Sequence, residues 1–186
     1  MANDDETTRT MVNATDGVAA VVYVKVAPEA FLFCHGPYGT VATFGGFCNK
    51  GEPALDAAIR ELEKESCGAI KETCEGALKR MRYAFRKSIG PTYVFVLDYS
   101  DEPAGFVERA RQSMLTRHKR LLEEDPVANK DWLRYDDMVV VTYDQIRVAL
   151  DNWASYTITV KPETALPFRP VLRSMLAKLV EIECFQ

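Results

Sequence analysis

Two apolar segments set the strongest limit on the fold of this chain. Residues 17–27 are rich in valine, and residues 92–99 read TYVFVLDY. Short apolar runs of this kind are typical of largely buried strands. Residues 31–34 are predicted to return along the first segment as a hairpin, across a turn at Pro28 and Glu29. Further strands are predicted at 40–44, 83–85 and 138–142.

Helical patterns alternate with these strands. Residues 53–67 place apolar side chains at helical spacing, with Pro53 at the first helical position and Gly68 as a C-cap. Residues 106–124 predict a long, heavily charged helix. Shorter helices are expected at 143–150 and 170–183. A chain that mixes strands and helices in this way predicts an α/β or α+β domain.

Composition narrows the class of protein. The chain has 186 residues, 47% hydrophobic and 27% charged, which fits one globular domain of ordinary size. A net charge of -4 argues against a protein that coats nucleic acid without sequence preference. The sequence contains no apolar run of about 18 residues, so no membrane span is expected. Five irregularly spaced cysteines and a polar leader at residues 1–15, without a secretory or transit signal, predict a cytoplasmic or other intracellular protein.

The helix predicted at 53–67 contains the candidate ligands for a divalent metal ion. Glu61 and Glu65 are one helical turn apart, so their carboxylates share a face. A loop at Gly45 and Gly46 is expected to bring backbone carbonyls near that face, and Glu52 can fold back toward it. Hard oxygen ligands suit Mg²⁺ or Mn²⁺. On spacing alone, a solvent-exposed helix of mixed charge is the simpler interpretation.

The whole segment 45–68 resembles the Nudix box. That pattern is Gly, five residues, Glu, seven residues, Arg-Glu-aliphatic, one residue, Glu-Glu, one residue, Gly, aliphatic. The matching positions here are Gly46, Glu52, Arg60, Glu61, Leu62 and Glu65. The resemblance extends over residues 17–150. It implies a Nudix-type α/β/α sandwich with a mixed sheet at residues 16–150, and a C-terminal helical extension at 151–186 packed on it.

The resemblance also implies a function. It is that of a metal-dependent hydrolase of nucleoside-diphosphate-linked substrates, namely nucleotides, dinucleoside polyphosphates or capped RNA. By resemblance, Glu61 and Glu65 would hold Mg²⁺ or Mn²⁺, and the carbonyl of Gly46 would add a ligand. Arg60 would orient the glutamates, and Glu52 would support the packing of the loop on the helix.

Two positions depart from the pattern. Lys64 stands where the family has the first glutamate of its pair, and Cys67 stands where it has glycine. One charge pair at about 4 Å, at an effective dielectric near 20, is worth about 4 kcal/mol, so Lys64 is expected to weaken a metal position. Either another acid restores hydrolysis, or the protein is a catalytically impaired module that binds RNA, nucleotide or a protein partner. Candidates for that acid are Glu123, Glu124, Asp136 and Asp137.

Basic and aromatic residues add candidate substrate contacts. Strand alternation places Arg80, Arg82 and Arg86 on one face, where they would contact substrate phosphates or an RNA backbone together with Asp137. A solvated outer face of a strand is the alternative. The extension at 151–186 is a candidate docking element for a protein partner. More positive charge lies on the long helix, at Arg109, Arg111, Arg117, Lys119 and Arg120. The candidate base-stacking groups are Tyr38, Phe44, Phe47 and Trp132.

Overall fold

The computed structural model describes residues 18–36, 39–70, 81–87, 90–101, 105–154, 157–161 and 164–181. The strands are β1 Ala19–Ala27, β2 Ala30–Gly36, β3 Thr40–Ala42, β4 Phe44–Phe47, β5 Met81–Lys87, β6 Gly90–Asp98, β7 Asp137–Thr142, β8 Thr157–Lys161 and β9 Thr164–Pro167. The α-helices are α1 Ala54–Glu65, α2 Phe106–Glu124, α3 Tyr143–Asp151 and α4 Arg173–Glu181, and a 3-10 turn at Pro170–Leu172 precedes α4.

Strand β1 lies at the centre of a seven-stranded mixed sheet. The main order is β3-β2-β1-β6-β5, while β4 also pairs with β1 and β7 with β2. The β1–β6 pair is parallel and the other pairs are antiparallel. The predicted hairpin of β1 and β2 is confirmed. Val22 and Val24 belong to one hydrophobic core, and Val21 and Tyr23 to another, which explains why the sequence of β1 is apolar without alternation.

Helices cover both faces of this sheet. Leu62 of α1 and Met114 of α2 are buried in one core, whereas Ile146 of α3 and Leu176 of α4 are buried in the other. The architecture is therefore three layers, helix, sheet and helix. The predicted α/β fold with a mixed sheet is confirmed.

The C-terminal segment packs on the sheet by aromatic contact. Phe168 is fully buried, and its ring meets that of Phe33 edge to face with centroids 5.7 Å apart. The backbone N–H of Arg169 donates to the carbonyl of Val41 at 2.9 Å. The segment after β9 therefore runs along the end of β3, which places Arg169 beside β3.

Three local features differ from the sequence predictions. Gly45 and Gly46 belong to strand β4 and pair with β1, although the sequence predicted a loop there. A side chain at Gly45 would place its Cβ 2.5 Å from the carbonyl oxygen of Ala20, so glycine is what allows the two strands to approach. Helix α1 begins after Pro53, which is its N-cap, and ends at Glu65. The hairpin of β8 and β9 was not predicted.

The predicted leader at residues 1–15 lies outside the described residues. No helix in the described part of the chain is long and apolar enough to cross a membrane.

Candidate functional site

The guanidinium of Arg60 joins three parts of the chain. Its Nε donates to Glu52 Oε1 at 2.7 Å and its Nη2 to Glu52 Oε2 at 2.8 Å, a bidentate pair. The same Nη2 reaches the carbonyl of Phe47 at 3.0 Å, and Nη1 donates to Glu61. The hydrogen bonds from Arg60 lower the pKa of Glu52, which is therefore ionised. Strand β4, the following loop and α1 are thus held in one arrangement.

The carboxylate of Glu61 is buried between two cations. One oxygen accepts from Arg60, and the other lies 2.5 Å from the ammonium of Lys64. Its side chain is only 5% exposed. A Cβ on Gly46 would lie 2.7 Å from the carboxylate carbon of Glu61, so the absence of a side chain at Gly46 makes room for this group. Glu61 therefore lies directly against the backbone of β4.

Glu65 is buried one turn further along α1. Its Oε2 accepts the backbone N–H of Gly45 at 2.7 Å, while its buried Oε1 accepts no hydrogen bond and lies 3.7 Å from Arg134 Nη1. Burial raises the pKa of Glu65 to about 7, and the negative charge of Glu61 adds to the effect. The protonated form of Glu65 is therefore favoured relative to that of an exposed glutamate.

A cavity of about 670 Å³ opens beside the carboxylate of Glu61. Its charged lining consists of four basic and two acidic side chains, Arg60, Lys64, Arg134, Arg169, Glu61 and Asp131. An apolar part is formed by Val21, Ala42, Leu172 and Met175. The volume is typical of small-molecule sites. The excess of guanidinium and ammonium groups favours an anionic ligand, and phosphate above all.

The residues present offer two carboxylate oxygens to a divalent ion. Glu61 Oε2 is a buried carboxylate oxygen whose partner is the ammonium of Lys64, and Glu65 Oε1 is a second one that accepts no hydrogen bond. Such hard donors suit Mg²⁺ or Mn²⁺. Lys64 occupies the position next to the first of them and has to withdraw for an ion to bind there. Among the described residues, no three Asp, Glu, His or Cys side chains converge, so the side chains offer an ion no more than these two carboxylates.

The structure brings Gly46, Glu52, Arg60, Glu61 and Glu65 together, as described above. The candidate supporting acids are placed elsewhere, and none of them lines the cavity. Glu123 and Glu124 lie at the exposed end of α2 near Lys119 and Arg120, and Asp136 bonds His35.

The predicted substrate contacts lie in two places. Asp137, the first residue of β7, accepts two hydrogen bonds from Arg111 at 2.6 and 2.5 Å. Burial raises the pKa of Asp137, but the bonds from Arg111 and from the N–H of Met138 outweigh it, and the net pKa is lowered. Arg82 and Arg86 belong to β5. Arg80 lies outside the described residues.

Four charged or aromatic cavity residues were not singled out from the sequence. Asp131, Arg134 and Tyr135 come from the loop before β7, the region that was expected to supply an acid. Arg169 comes from the C-terminal segment, and its Nη1 donates to the hydroxyl of Tyr135 at 3.2 Å. Of the candidate stacking groups, Phe47 lines the cavity and is 57% exposed, whereas Phe44 is buried in the core. Tyr38 lies outside the described residues.

Comparisons with known proteins find similarity in solved structures. No known family profile matches the chain, and no curated protein matches it. A mutT/nudix family protein from Listeria innocua is 17% identical, with a TM-score of 0.44 over 90% of this chain and 94% of that one. A Bacillus subtilis pyrophosphohydrolase is 13% identical, with a TM-score of 0.41 over 95% and 89%. The C. elegans Ap4A hydrolase is 20% identical, with a TM-score of 0.30 over 58% of this chain and 99% of its own.

Proposed function

We propose that this protein binds a nucleoside-diphosphate-linked small molecule, or the capped end of an RNA, in the cavity beside α1 and hydrolyses its phosphoanhydride bond. One observation carries the proposal. The buried carboxylate of Glu61 lines a cavity in which basic side chains outnumber acidic ones, and the buried carboxylate of Glu65 lies 3.7 Å from the cavity residue Arg134. Phosphate groups of the substrate would meet the basic lining, and the apolar part would take the nucleoside.

Each residue of the site has a proposed task. Glu61 and Glu65 would hold one Mg²⁺ or Mn²⁺ against the backbone of Gly46. Such an ion neutralises phosphate charge and lowers the pKa of a bound water so that it can attack phosphorus. Arg60 and Glu52 would keep the glutamates in place through the bidentate pair. Arg134, which lines the cavity 3.7 Å from Glu65, would orient the phosphates as a planar donor of several hydrogen bonds.

Turnover assays test this proposal. The purified chain is incubated with a nucleotide sugar, a dinucleoside polyphosphate and a capped RNA, each with Mg²⁺, Mn²⁺ or EDTA. We expect metal-dependent release of a mononucleotide product, which Glu65→Gln abolishes. Glu63→Gln is the matched control, because Glu63 is a partly exposed glutamate on the same helix, whereas Glu65 is buried against β4. Absence of turnover with all substrates and metals contradicts the proposal.

The ion pair of Lys64 favours a second candidate function. Because both oxygens of Glu61 already have a cationic partner, the site is also suited to binding the same ligand without cleaving it. Under this function the protein is a binding module for nucleotide or RNA. Lys64→Glu separates the two candidates: a large gain of hydrolysis over the natural chain supports the binding module, and a loss or no change supports the enzyme.

We also propose a contribution from β5. Arg82 and Arg86 belong to this strand, at the end of the main strand order, and would extend the contact with an RNA substrate along the sheet edge. If Arg82→Gln with Arg86→Gln reduces affinity for capped RNA but not for a mononucleotide, this contribution is supported. An equal loss for both ligands contradicts it.

A further inference from the structure

Lys64 is held in the position of a counter-ion. Its ammonium lies 2.5 Å from Glu61 Oε2, and its side chain is only 21% exposed although lysine is usually extended into water. The same side chain lines the cavity and a second groove of about 590 Å³ on the side of Trp132. Lys64 therefore neutralises a buried carboxylate and presents its remaining donors where a ligand would lie.

Other basic groups of the cavity come from different parts of the chain. Arg134 reaches it from the loop before β7, where it also lies 3.7 Å from Glu65. Arg169 reaches it from the segment after β9 and uses one of its five N–H donors on Tyr135. The three cations are carried by α1 and by two segments distant from it in sequence. An anion bound among them would be contacted from more than one direction.

We propose that Lys64, Arg134 and Arg169 form a diphosphate-binding site that works without a divalent metal ion, with the ammonium of Lys64 between Glu61 and the phosphates. The proposal rests on the proposed function, because it concerns the same cavity. It assigns to this chain's own lysine the charge neutralisation that a metal ion would otherwise supply. The ligand class is a diphosphate, either inorganic or as part of a nucleotide. Ligand affinity is then independent of Mg²⁺, whatever the requirement of the hydrolytic step.

Calorimetry in EDTA tests the site directly. The full chain is titrated with inorganic pyrophosphate and with ADP, first in EDTA and then in Mg²⁺. We expect binding in EDTA with an affinity within about threefold of that in Mg²⁺, and a loss of about tenfold or more in Lys64→Gln, as for one charge-assisted contact. Lys64→Arg keeps the charge and should retain most of the affinity. Lys50→Gln is the matched control, since Lys50 is exposed and does not line the cavity.

Manganese binding gives a second readout that needs no ligand or turnover. Removal of the ammonium frees Glu61, so Lys64→Gln should bind Mn²⁺ more tightly than the natural chain in electron paramagnetic resonance titrations. Thermal unfolding of each variant shows that it is folded. Binding of pyrophosphate only in the presence of Mg²⁺, or equal affinities of Lys64→Gln and Lys50→Gln, overturns the inference. Binding in EDTA without turnover under any condition contradicts the hydrolase proposal alone, and turnover without binding in EDTA contradicts this inference alone.

Discussion

The ion pair of Asp137 and Arg111 connects β7 to α2. Its removal should lower the free energy of unfolding by a measurable amount. Asp137 accepts two hydrogen bonds from the guanidinium, at 2.6 and 2.5 Å, and a third from the N–H of Met138 at 2.8 Å. Hydrogen bonds to charged groups contribute about 1.5–3 kcal/mol each. Arg111 is 35% exposed, so water screens part of this energy. We expect Asp137→Asn to lower the free energy of unfolding by about 2 kcal/mol at pH 7.

The contribution of Asp137 to the free energy of unfolding should depend on pH, and the direction of this dependence follows from its pKa. Because the pKa of Asp137 is lowered in the folded protein, its contribution is complete above the pKa of an unfolded aspartate, near 4. The contribution is lost as pH falls through the lower, folded pKa. The difference between the natural chain and Asp137→Asn should therefore be largest at pH 7 and shrink at pH 3. Urea unfolding of both chains at pH 7 and at pH 3 measures this difference in the free energy of unfolding.

Asp136→Asn is the control, since the same substitution is made one residue away. Asp136 is 61% exposed and has a contact with His35, so its loss should cost well under 1 kcal/mol. In thermal unfolding, Asp137→Asn should melt about 4–8 °C lower, given about 2–4 °C per kcal/mol for a domain of this size. The reasoning is refuted if both variants lose the same stability, or if the loss in Asp137→Asn is as large at pH 3 as at pH 7.

Three further predictions concern the site and its surroundings. Glu52→Gln removes the charge that Arg60 binds twice, and should lower the free energy of unfolding in urea by about 1–3 kcal/mol. Gly46→Ala places a Cβ 2.7 Å from the Glu61 carboxylate and should cost about 1–3 kcal/mol in thermal unfolding; an unchanged melting temperature would show that the contact relaxes freely. Burial raises the pKa of Cys67 to about 11, so iodoacetamide at pH 8 should modify it far more slowly in the folded than in the unfolded chain, as read by peptide mass spectrometry.

The elements that could be predicted are those with local patterns. The apolar run of β1 and the helical spacing of α1 and α2 are visible in short windows, and the structure has them at the predicted places. Gly45 and Gly46 mislead the same reasoning, because two glycines normally indicate a turn. Here the close approach of β4 to β1 requires Gly45 inside a strand, and the carboxylate of Glu61 requires Gly46 there. Tertiary contact therefore decided a conformation that local preference could not.

The site could be predicted only in its helical half. Glu61 and Glu65 share a face because of their spacing, and the i,i+3 spacing of Glu61 and Lys64 also permits the ion pair that the structure contains. Arg134 and Arg169 reach the cavity through a loop and a C-terminal segment, and no sequence pattern connects them with α1. Their place depends on the packing of Phe168 and on the path of the loop before β7. That information exists only in the folded chain.

The single guanidinium of Arg60 has a consequence for the cooperativity of folding. It holds the carbonyl of Phe47 in β4 and the side chain of Glu52, which in turn accepts the backbone N–H of Asn49 at 2.7 Å. The bond to the carbonyl of Phe47 joins α1 to a strand and cannot form before α1 docks on the sheet. The loop and the helix should therefore open together in hydrogen exchange, and the amide of Asn49 should exchange at the rate of α1. A chain with α1 undocked lacks Arg60, Glu61 and Lys64 in the cavity lining, so ligand affinity should report on the docking of this helix.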